Sequence, residues 1–247
     1  VTSTTDDSKV TIVESKTLTN TETTLSTAGF QLGNDIDGHA SDDRLGSSVS
    51  LSDDGNIVAV GAYFNPGSGG TTYAGHVRVY QRDASNTNVV PFGWTQLGGD
   101  IDGEANGDQS GWSVSISGDG TIVAIGAYGS DSVISEGGQV RVYQYNASKT
   151  IADTNQNSAT FGPVGWNRLG GDIDGDASGG RSGESVSLSN DGSIVAIGAK
   201  YGSDAGRVRV YQRDESVSLG WTKLGNDIDG EGSGDQFGFS VSLSDDG

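Results

Sequence analysis

Hydrophobic and small polar residues follow one pattern that recurs through most of the chain. SVSLS or SVSIS alternates with a period of two, which is typical of a strand with two different faces. It ends in an Asp-Gly turn, a strong hairpin signal, and the continuous apolar run IVAVGA or IVAIGA follows, which suits a buried strand. VRVYQ alternates again, and WTQLG, WNRLG or WTKLG supplies a fourth strand. No stretch predicts a helix.

These stretches belong to a repeated unit with fixed internal spacing. The first Asp of a DIDG string precedes the glycine before the serine strand by 11 residues in four copies, 35 to 46, 100 to 111, 172 to 183 and 227 to 238. That glycine precedes the glycine of GA by 15 residues in three copies. Length varies only in the loops before and after VRVYQ, as expected of a structural unit with two surface loops.

The repeats predict an all-β fold, a β-propeller of four-stranded antiparallel blades with three full repeats and a partial fourth. The units lie near 29–93, 94–165, 166–220 and 221–247. Residues 1–28 form a separate extension in which half of the residues are Ser or Thr, a composition typical of a linker or glycosylated stalk. Within it, KVTIVE at 9–14 has the bias of a strand, and it could add to a neighbouring molecule and join subunits into a fibre.

The composition of the chain limits the classes of partner that it can bind. The 247 residues include 33 acids and 14 bases, for a net charge of −19, so the surface disfavours nucleic acid and attracts cations and basic partners. There is no cysteine, which excludes a disulfide framework or a thiolate zinc site. No apolar run approaches the roughly 20 residues of a membrane span, so we expect no membrane insertion.

The unit resembles the FG-GAP repeat, the blade of integrin-α-type propellers. The fourth copy contains Phe237-Gly238, and GAP-like strings stand at Gly61-Ala62 and Gly126-Ala127. The WxQLGxDIDG lead-in is similar to tandem repeats of algal and protist surface proteins. The resemblance covers about residues 29–247 and implies a calcium cage between the first two strands. Here that loop is only a tight SDDG-type turn, so the family's metal position cannot be transferred.

The DIDG loops are the main candidates for calcium, because their acids alternate around a glycine turn. The candidate ligands are Asp35, Asp37 and Asp43, then Asp100, Asp102, Glu104 and Asp108, then Asp172, Asp174 and Asp176, and finally Asp227, Asp229, Glu231 and Asp235. Counted from the first Asp, they occupy loop positions 1, 3, 5 and 9, with His39 at position 5 of the first loop and Gly180 at position 9 of the third.

Two alternatives to calcium remain open for these loops. Each loop can be a plain Asx-type turn whose isoleucine (Ile36, Ile101, Ile173 or Ile228) lies in the core between blades. The arginines of VRVY can also form structural ion pairs with the same carboxylates, since a covered guanidinium needs an acidic partner. These arginines are Arg78, Arg141 and Arg209.

Other residues suggest little catalytic chemistry. GWSVS and GESVS only faintly match a nucleophile elbow, because the last glycine is a serine. The recurring Trp94, Trp166 and Trp221 suit packing between blades, whereas Trp112 stands outside that pattern and suits a unique contact. Asn146 opens the one N-glycosylation sequon.

Together these features predict a non-enzymatic structural or adhesive propeller at the cell surface or outside the cell, with calcium-stabilised loops. It would self-assemble or bind another surface protein. One alternative is a propeller that binds glycans or a protein ligand through its variable loops, and another is an accessory domain of a larger hydrolase.

Overall fold

The computed structural model describes residues 4–6, 9–11, 13–14, 30–39, 41–66, 73–131, 133–155, 158 and 160–247. Within these ranges the protein consists of β-strands, turns and loops, without helix, so no described segment is a helix able to cross a membrane. The all-β class and the blades of a propeller, predicted from the repeats, are confirmed.

Short strands open the described part of the chain: β1 Thr4–Asp6, β2 Lys9–Thr11, β3 Val13–Glu14, β4 Phe30–Gln31 and β5 Ile36–Asp37. Val10 lies opposite Ile36, and β3 pairs with β4. The strand predicted at 9–14 pairs within its own chain over the described residues 9–10 and 13–14, and its addition to a neighbouring molecule stays a prediction. Its register equals that of Val77 opposite Ile101 further along, so 9–14 takes the place of a VRVYQ strand.

Three antiparallel sheets follow, and we call them the first, second and third blade. The first blade contains β6 Ser48–Leu51, β7 Ile57–Ala62, β8 His76–Arg82, β9 Trp94–Gln96 and β10 Ile101–Asp102. The second contains β11 Ser113–Ile116, β12 Ile122–Ala127, β13 Gln139–Tyr145, β14 Trp166–Arg168 and β15 Ile173–Asp174. The third contains β16 Ser182–Leu188, β17 Ile194–Ala199, β18 Arg207–Arg213 and β19 Trp221–Asp229.

The order of strands explains why the DIDG string follows WxxL at a fixed distance. In each blade the serine strand, the apolar strand and the VRVY strand pair in sequence, and both WxxL and DIDG pair with the VRVY strand. In the third blade WxxL and DIDG together form the single strand β19. Its pairing with β18 shifts register between Val208 and Val210 of β18. Each sheet therefore ends with the DIDG string of the next sequence unit.

Glycines make the closest approach between neighbouring blades. Gly111 has a φ of 85°, a left-handed conformation that suits glycine, and its carbonyl oxygen lies against the Cα of Gly61. The Ser48 hydroxyl, opposite Gly61 on the neighbouring strand, donates to the same carbonyl at 2.7 Å. The same arrangement recurs with Ser113, Gly126 and Gly183, and with Ser185, Gly198 and Gly238.

The second serine of each serine strand also bridges blades. Ser50 Oγ accepts a hydrogen bond from the Ile116 N–H at 3.0 Å, and Ser115 Oγ accepts one from the Leu188 N–H at 2.9 Å. These side chains satisfy backbone donors on the next serine strand, which would otherwise lack a partner in the sheet. The small polar half of the SVSLS alternation is therefore the contact between neighbouring blades.

Tryptophan and aliphatic residues complete the joints. Each recurring tryptophan donates its indole N–H to a leucine carbonyl of the preceding repeat, Trp94 to Leu32 at 3.0 Å, Trp166 to Leu97 at 2.9 Å and Trp221 to Leu169 at 2.9 Å. The DIDG isoleucines follow the prediction in three copies, since Ile36, Ile101 and Ile173 are buried. Ile228 differs and is 50% exposed.

The Asp-Gly turns contact one another in series. The Asp53 N–H donates to the Gly118 carbonyl at 2.9 Å, and the Gly118 N–H donates to the Asn190 carbonyl at 2.7 Å. The Asn190 N–H continues the series to the Asp245 carbonyl at 2.9 Å. The Asn190 side chain also donates to Asp53, two turns back. The turns therefore gather at one end of the inner strands.

We expect Gly126→Ala to destabilise the protein by roughly 3 kcal/mol, because the new methyl group would overlap the Gly183 carbonyl oxygen. Gly99→Ala is the matched control, since a Cβ there meets its nearest neighbour, Pro163, at an ordinary 3.6 Å. Urea unfolding followed by tryptophan fluorescence measures both. Equal stability of the two variants would contradict the glycine contact as the joint between blades.

Candidate functional site

The arginine of VRVY joins two successive DIDG loops. In the first blade Arg78 is 1% exposed and contacts both carboxylate oxygens of Asp100, at 3.0 Å and 2.8 Å. Its Nη2 also lies 2.7 Å from Nδ1 of His39, in the preceding loop. Although burial opposes ionisation of Asp100, the hydrogen bond from Arg78 lowers the pKa of that carboxyl below its ordinary value.

The same connection recurs in the next two blades, with an acid at the place of His39. Arg141 contacts Glu104 at 2.8 Å and Asp172 at 3.1 Å. Arg209 contacts Asp176 and, at 3.0 Å, Asp227. The hydrogen bond from Arg209 lowers the pKa of Asp227 to about 2. Loop position 1 therefore meets the arginine of its own sheet, and position 5 meets the arginine of the next.

The acid at loop position 9 closes its own loop. Asp108 is 3% exposed and accepts the backbone N–H groups of Glu104 and Ala105 at 3.1 Å and 3.0 Å. Asp43 accepts the His39 N–H at 2.9 Å, and Asp235 accepts the Gly232 N–H at 2.7 Å. In each case the acid accepts backbone N–H groups from residues three or four positions earlier, so it holds its own loop closed.

The remaining predicted ligands lie around this network. Asp35 accepts a hydrogen bond from Gln31 at 2.8 Å, and Glu231 is exposed. The acids at position 3 face the residue before VRV on the paired strand: Asp102 is opposite His76, Asp174 opposite Gln139 and Asp229 opposite Arg207. Asp37 stands at the edge of the cleft described below.

The donor set of the DIDG loops does not fit a calcium cage. Calcium requires six to eight oxygens around one point, whereas positions 1 and 5 of these loops meet a guanidinium and position 9 meets backbone amides. Arginine and calcium would compete for the same carboxylates. The calcium prediction for these loops stays a prediction, and the geometry favours the ion pairs.

A concave site of about 710 Å³ lies beside the first of these networks. The DIDG loop 37–39 forms one wall of the site. The other wall, which we call loop 83–96, consists of the variable loop 83–93 and strand β9. The repeat pattern gave no signal for this cleft, because residues 83–93 belong to the loop that differs most between units. Its apolar lining includes Val90 and Pro91, and its polar lining includes Asp37, His39 and Asp83.

Trp112, which was predicted to make a unique contact, lies between two tyrosines. Its ring meets Tyr63 and Tyr128 edge-on, with centroids 4.6 Å and 4.5 Å away. Arg181 lies over Tyr128 and Tyr201, each at 5.1 Å. This aromatic row follows the ends of the apolar strands, on the side of the blades where the GA strings stand.

Asn146 lies directly after β13 in a turn of its own. Its Oδ1 accepts the Ser148 N–H at 3.0 Å, and its backbone N–H donates to Gly165 at 2.7 Å. The sequon is therefore part of an ordered loop, and glycosylation there stays a prediction. The serines of GWSVS and GESVS, Ser113 and Ser185, donate to glycine carbonyls of the next blade, which is a structural role.

Comparison with known families identifies residues 101–143 as an FG-GAP repeat. This confirms the resemblance seen in the sequence, within the second unit. No curated protein sequence matches this chain.

Solved structures match over most of the chain. One is described as a candidate 6-phosphogluconolactonase from Bacteroides uniformis, with 11% identity and a TM-score of 0.51, covering 91% of this chain and 49% of its own. Another, described in the same way, from Bacteroides fragilis, has 11% identity and a TM-score of 0.51, covering 90% and 49%. This chain thus spans about half of their length. At this identity the likeness shows the propeller fold alone.

These comparisons correct the predicted function. The prediction of a non-enzymatic structural or adhesive module is wrong, since the FG-GAP repeat supports a fold and no adhesive role, and the similar structures bear the names of enzymes. At 11% identity those names give no activity to this chain, so the expectation that it lacks catalysis stays a prediction. The error came from reading the resemblance as a role when it carries only the architecture.

We expect Arg141→Met to destabilise the protein by about 2–4 kcal/mol, because it keeps the aliphatic stem but removes the guanidinium that Glu104 and Asp172 share, leaving Asp172 with Arg168. Glu104 and Asp172 are 29% and 21% exposed, so water offsets part of the loss. Arg213→Met is the control, since Arg213 pairs with the 80% exposed Glu215 and should cost less than about 1 kcal/mol. Denaturant unfolding of both proteins checks the difference, and similar losses would argue against the network.

Proposed function

We propose that the protein binds a neutral, hydroxyl-rich small molecule of the sugar or sugar-lactone class in the cleft between the first DIDG loop and the loop 83–96. The cleft itself carries the proposal. Its volume of about 710 Å³ lies in the range that holds small ligands in other proteins. Its lining mixes apolar side chains with several polar ones, which is the composition of such sites.

The cleft wall is held in shape before any ligand binds. The Asn86 side chain donates to the carbonyls of Val89 and Trp94 across the loop. Asp83 accepts the Ser85 N–H at 2.9 Å and the Thr95 hydroxyl at 3.1 Å. Hydrogen bonds that fix a loop lower the conformational entropy lost on binding, so a small ligand gains affinity.

Charge selects the ligand class. The lining residues that the structure describes include the acids Asp37 and Asp83 and no lysine or arginine. Arg78 lies nearby, but Asp100 neutralises it. A phosphate or carboxylate would meet like charge here, whereas hydroxyl groups can donate to these acids and accept from amides such as Asn88.

The similar structures support the lactone member of this class. They are described as candidate lactonases of a phosphorylated sugar acid. A sugar lactone without phosphate is neutral and rich in hydroxyls, which suits the acidic lining. The phosphorylated form would need a cation that the described lining does not provide.

We expect glucono-1,5-lactone and neutral monosaccharides to bind better than 6-phosphogluconate, by about tenfold or more, because the phosphate meets Asp37 and Asp83. Isothermal titration calorimetry measures binding, and a pH-stat shows whether the lactone is hydrolysed faster than in buffer. Tighter binding of the phosphorylated compound, or no binding of any, would refute the proposal.

Two variants connect the binding to the cleft. Asn88→Ala, at an exposed lining residue, should weaken sugar binding about tenfold through a lost hydrogen bond. Asp204→Asn, in the exposed loop of the third blade, should bind as the unmodified protein does. Equal affinity of both variants would place the ligand elsewhere.

A further inference from the structure

The residue before VRV differs in each blade while its surroundings stay the same. It is His76 in the first blade, Gln139 in the second and Arg207 in the third. Each lies opposite the position 3 acid of the paired DIDG string. Each also lies two residues before the arginine that meets the position 1 acid. The blades therefore offer an internal comparison of one structural position with three side chains.

In the third blade the residue at this position is an arginine, which places a second guanidinium beside the acids at loop positions 1 and 3. Arg207 contacts Asp227 at 3.1 Å and Asp229 at 2.6 Å. Asp227 meanwhile keeps its contact with Arg209 at 3.0 Å. A position 1 carboxylate can therefore hold the VRV arginine and another positive group together. The pair of acids at positions 1 and 3 accommodates a positive charge between them.

In the first blade the same two acids meet a histidine. A ring nitrogen of His76 and one carboxylate oxygen from each of Asp100 and Asp102 lie within 4.8 Å of one another. His76 is 1% exposed, and its Nε2 has no hydrogen-bond partner among the described residues. A buried polar nitrogen without a partner carries a cost unless something binds it.

We propose that His76, Asp100 and Asp102 bind a divalent transition-metal ion of the Zn²⁺ type. One imidazole nitrogen and two carboxylate oxygens are ligands that Zn²⁺ and its first-row neighbours accept, and three protein donors leave a position for water. The ion supplies the positive charge that Arg207 supplies two blades later. Calcium suits the position poorly, since it prefers an all-oxygen shell.

The acids differ in exposure from the histidine, which fits entry of an ion from solvent. The Asp100 side chain is 32% exposed, and Asp102 is half-buried. Asp102 lies on the edge strand β10 of the first blade, and Asp100 directly precedes that strand. The buried imidazole lies beneath them on β8. The site uses different side chains from the proposed sugar cleft, so each can be tested without the other.

Zinc titration of the complete chain tests the site. We expect one Zn²⁺ per chain by isothermal titration calorimetry, an increase in melting temperature with Zn²⁺, and visible absorption bands of a nitrogen- and oxygen-bound ion when Co²⁺ replaces it. Ca²⁺ should bind more weakly than Zn²⁺. Absence of a stoichiometric Zn²⁺ site would overturn the proposal.

Three variants taken from the chain's own repeats locate the ion. His76→Gln copies the buried Gln139 of the second blade and should weaken Zn²⁺ binding by about 100-fold, since it removes a direct ligand. His76→Arg copies Arg207, so it should abolish Zn²⁺ binding and leave a folded protein. Asp102→Asn should weaken binding, whereas Asp174→Asn, at the same position of the second blade, should not.

The outcomes separate a built site from scattered surface binding. Unchanged Zn²⁺ affinity in His76→Gln would mean that exposed acids hold the ion, and it would refute the site. Equal losses in Asp102→Asn and Asp174→Asn would refute it as well. Because Gln and Arg already occupy this position in the other blades, unfolding of both His76 variants is not expected. Asp102→Asn tests the site independently of them.

Discussion

The second and third blades each begin with a glycine carbonyl that lies against a glycine of the preceding blade. Gly111 against Gly61, and Gly183 against Gly126, bring the backbones together at a distance that no side chain tolerates. A serine hydroxyl then donates to the same carbonyl. This contact fixes the position of each serine strand, and the tryptophan and isoleucine joints further out depend on that position. The fixed spacing of the two glycines in the sequence follows from the contact.

The charged network is a second level built on this frame. Because the VRV arginine meets one acid from its own sheet and one residue from the loop before, each loop is shared by two blades. Substitutions at loop position 5 therefore change the surroundings of the next arginine. His39 stands where Glu104 and Asp176 stand, and the first arginine thus has one carboxylate where the others have two. This difference at loop position 5 lies beside the cleft, which His39 lines, and close to His76.

The sequence predicted the blades well because their signals are local and repeated. Alternation, Asp-Gly turns and fixed spacing define the serine, apolar and VRVY strands without tertiary information. The arginine contacts were also within reach, since alternation places Arg78 away from the two valines. The burial of Ile228 was predicted wrongly, because whether an isoleucine is covered depends on a neighbouring blade and not on its own string.

The cleft and the metal position could not be found in the same way. Residues 83–93 form the loop whose length differs most between units, so no spacing marks the cleft. In the sequence His76 stands directly before VRV, and nothing in that position marks it as a ligand. We identify His76 as a ligand because Asp102 lies opposite it across the sheet and because Arg207 occupies the same position in the third blade. Both observations require the register of the strands. The function was misjudged for a different reason, since repeats report architecture strongly and activity weakly.

The contacts between blades also determine the order in which parts of the structure unfold. Almost every joint connects a blade only to its neighbour, so stability is close to a sum of blade and interface contributions, as in other repeat proteins. In the third blade Leu224 and Ile228 are 39% and 50% exposed, whereas their counterparts Leu97 and Ile101 are buried, so β19 leaves more apolar surface uncovered than the matching strands. Amide hydrogen exchange should therefore begin in the third blade and spread toward the first. The exchange should slow at each glycine contact between blades.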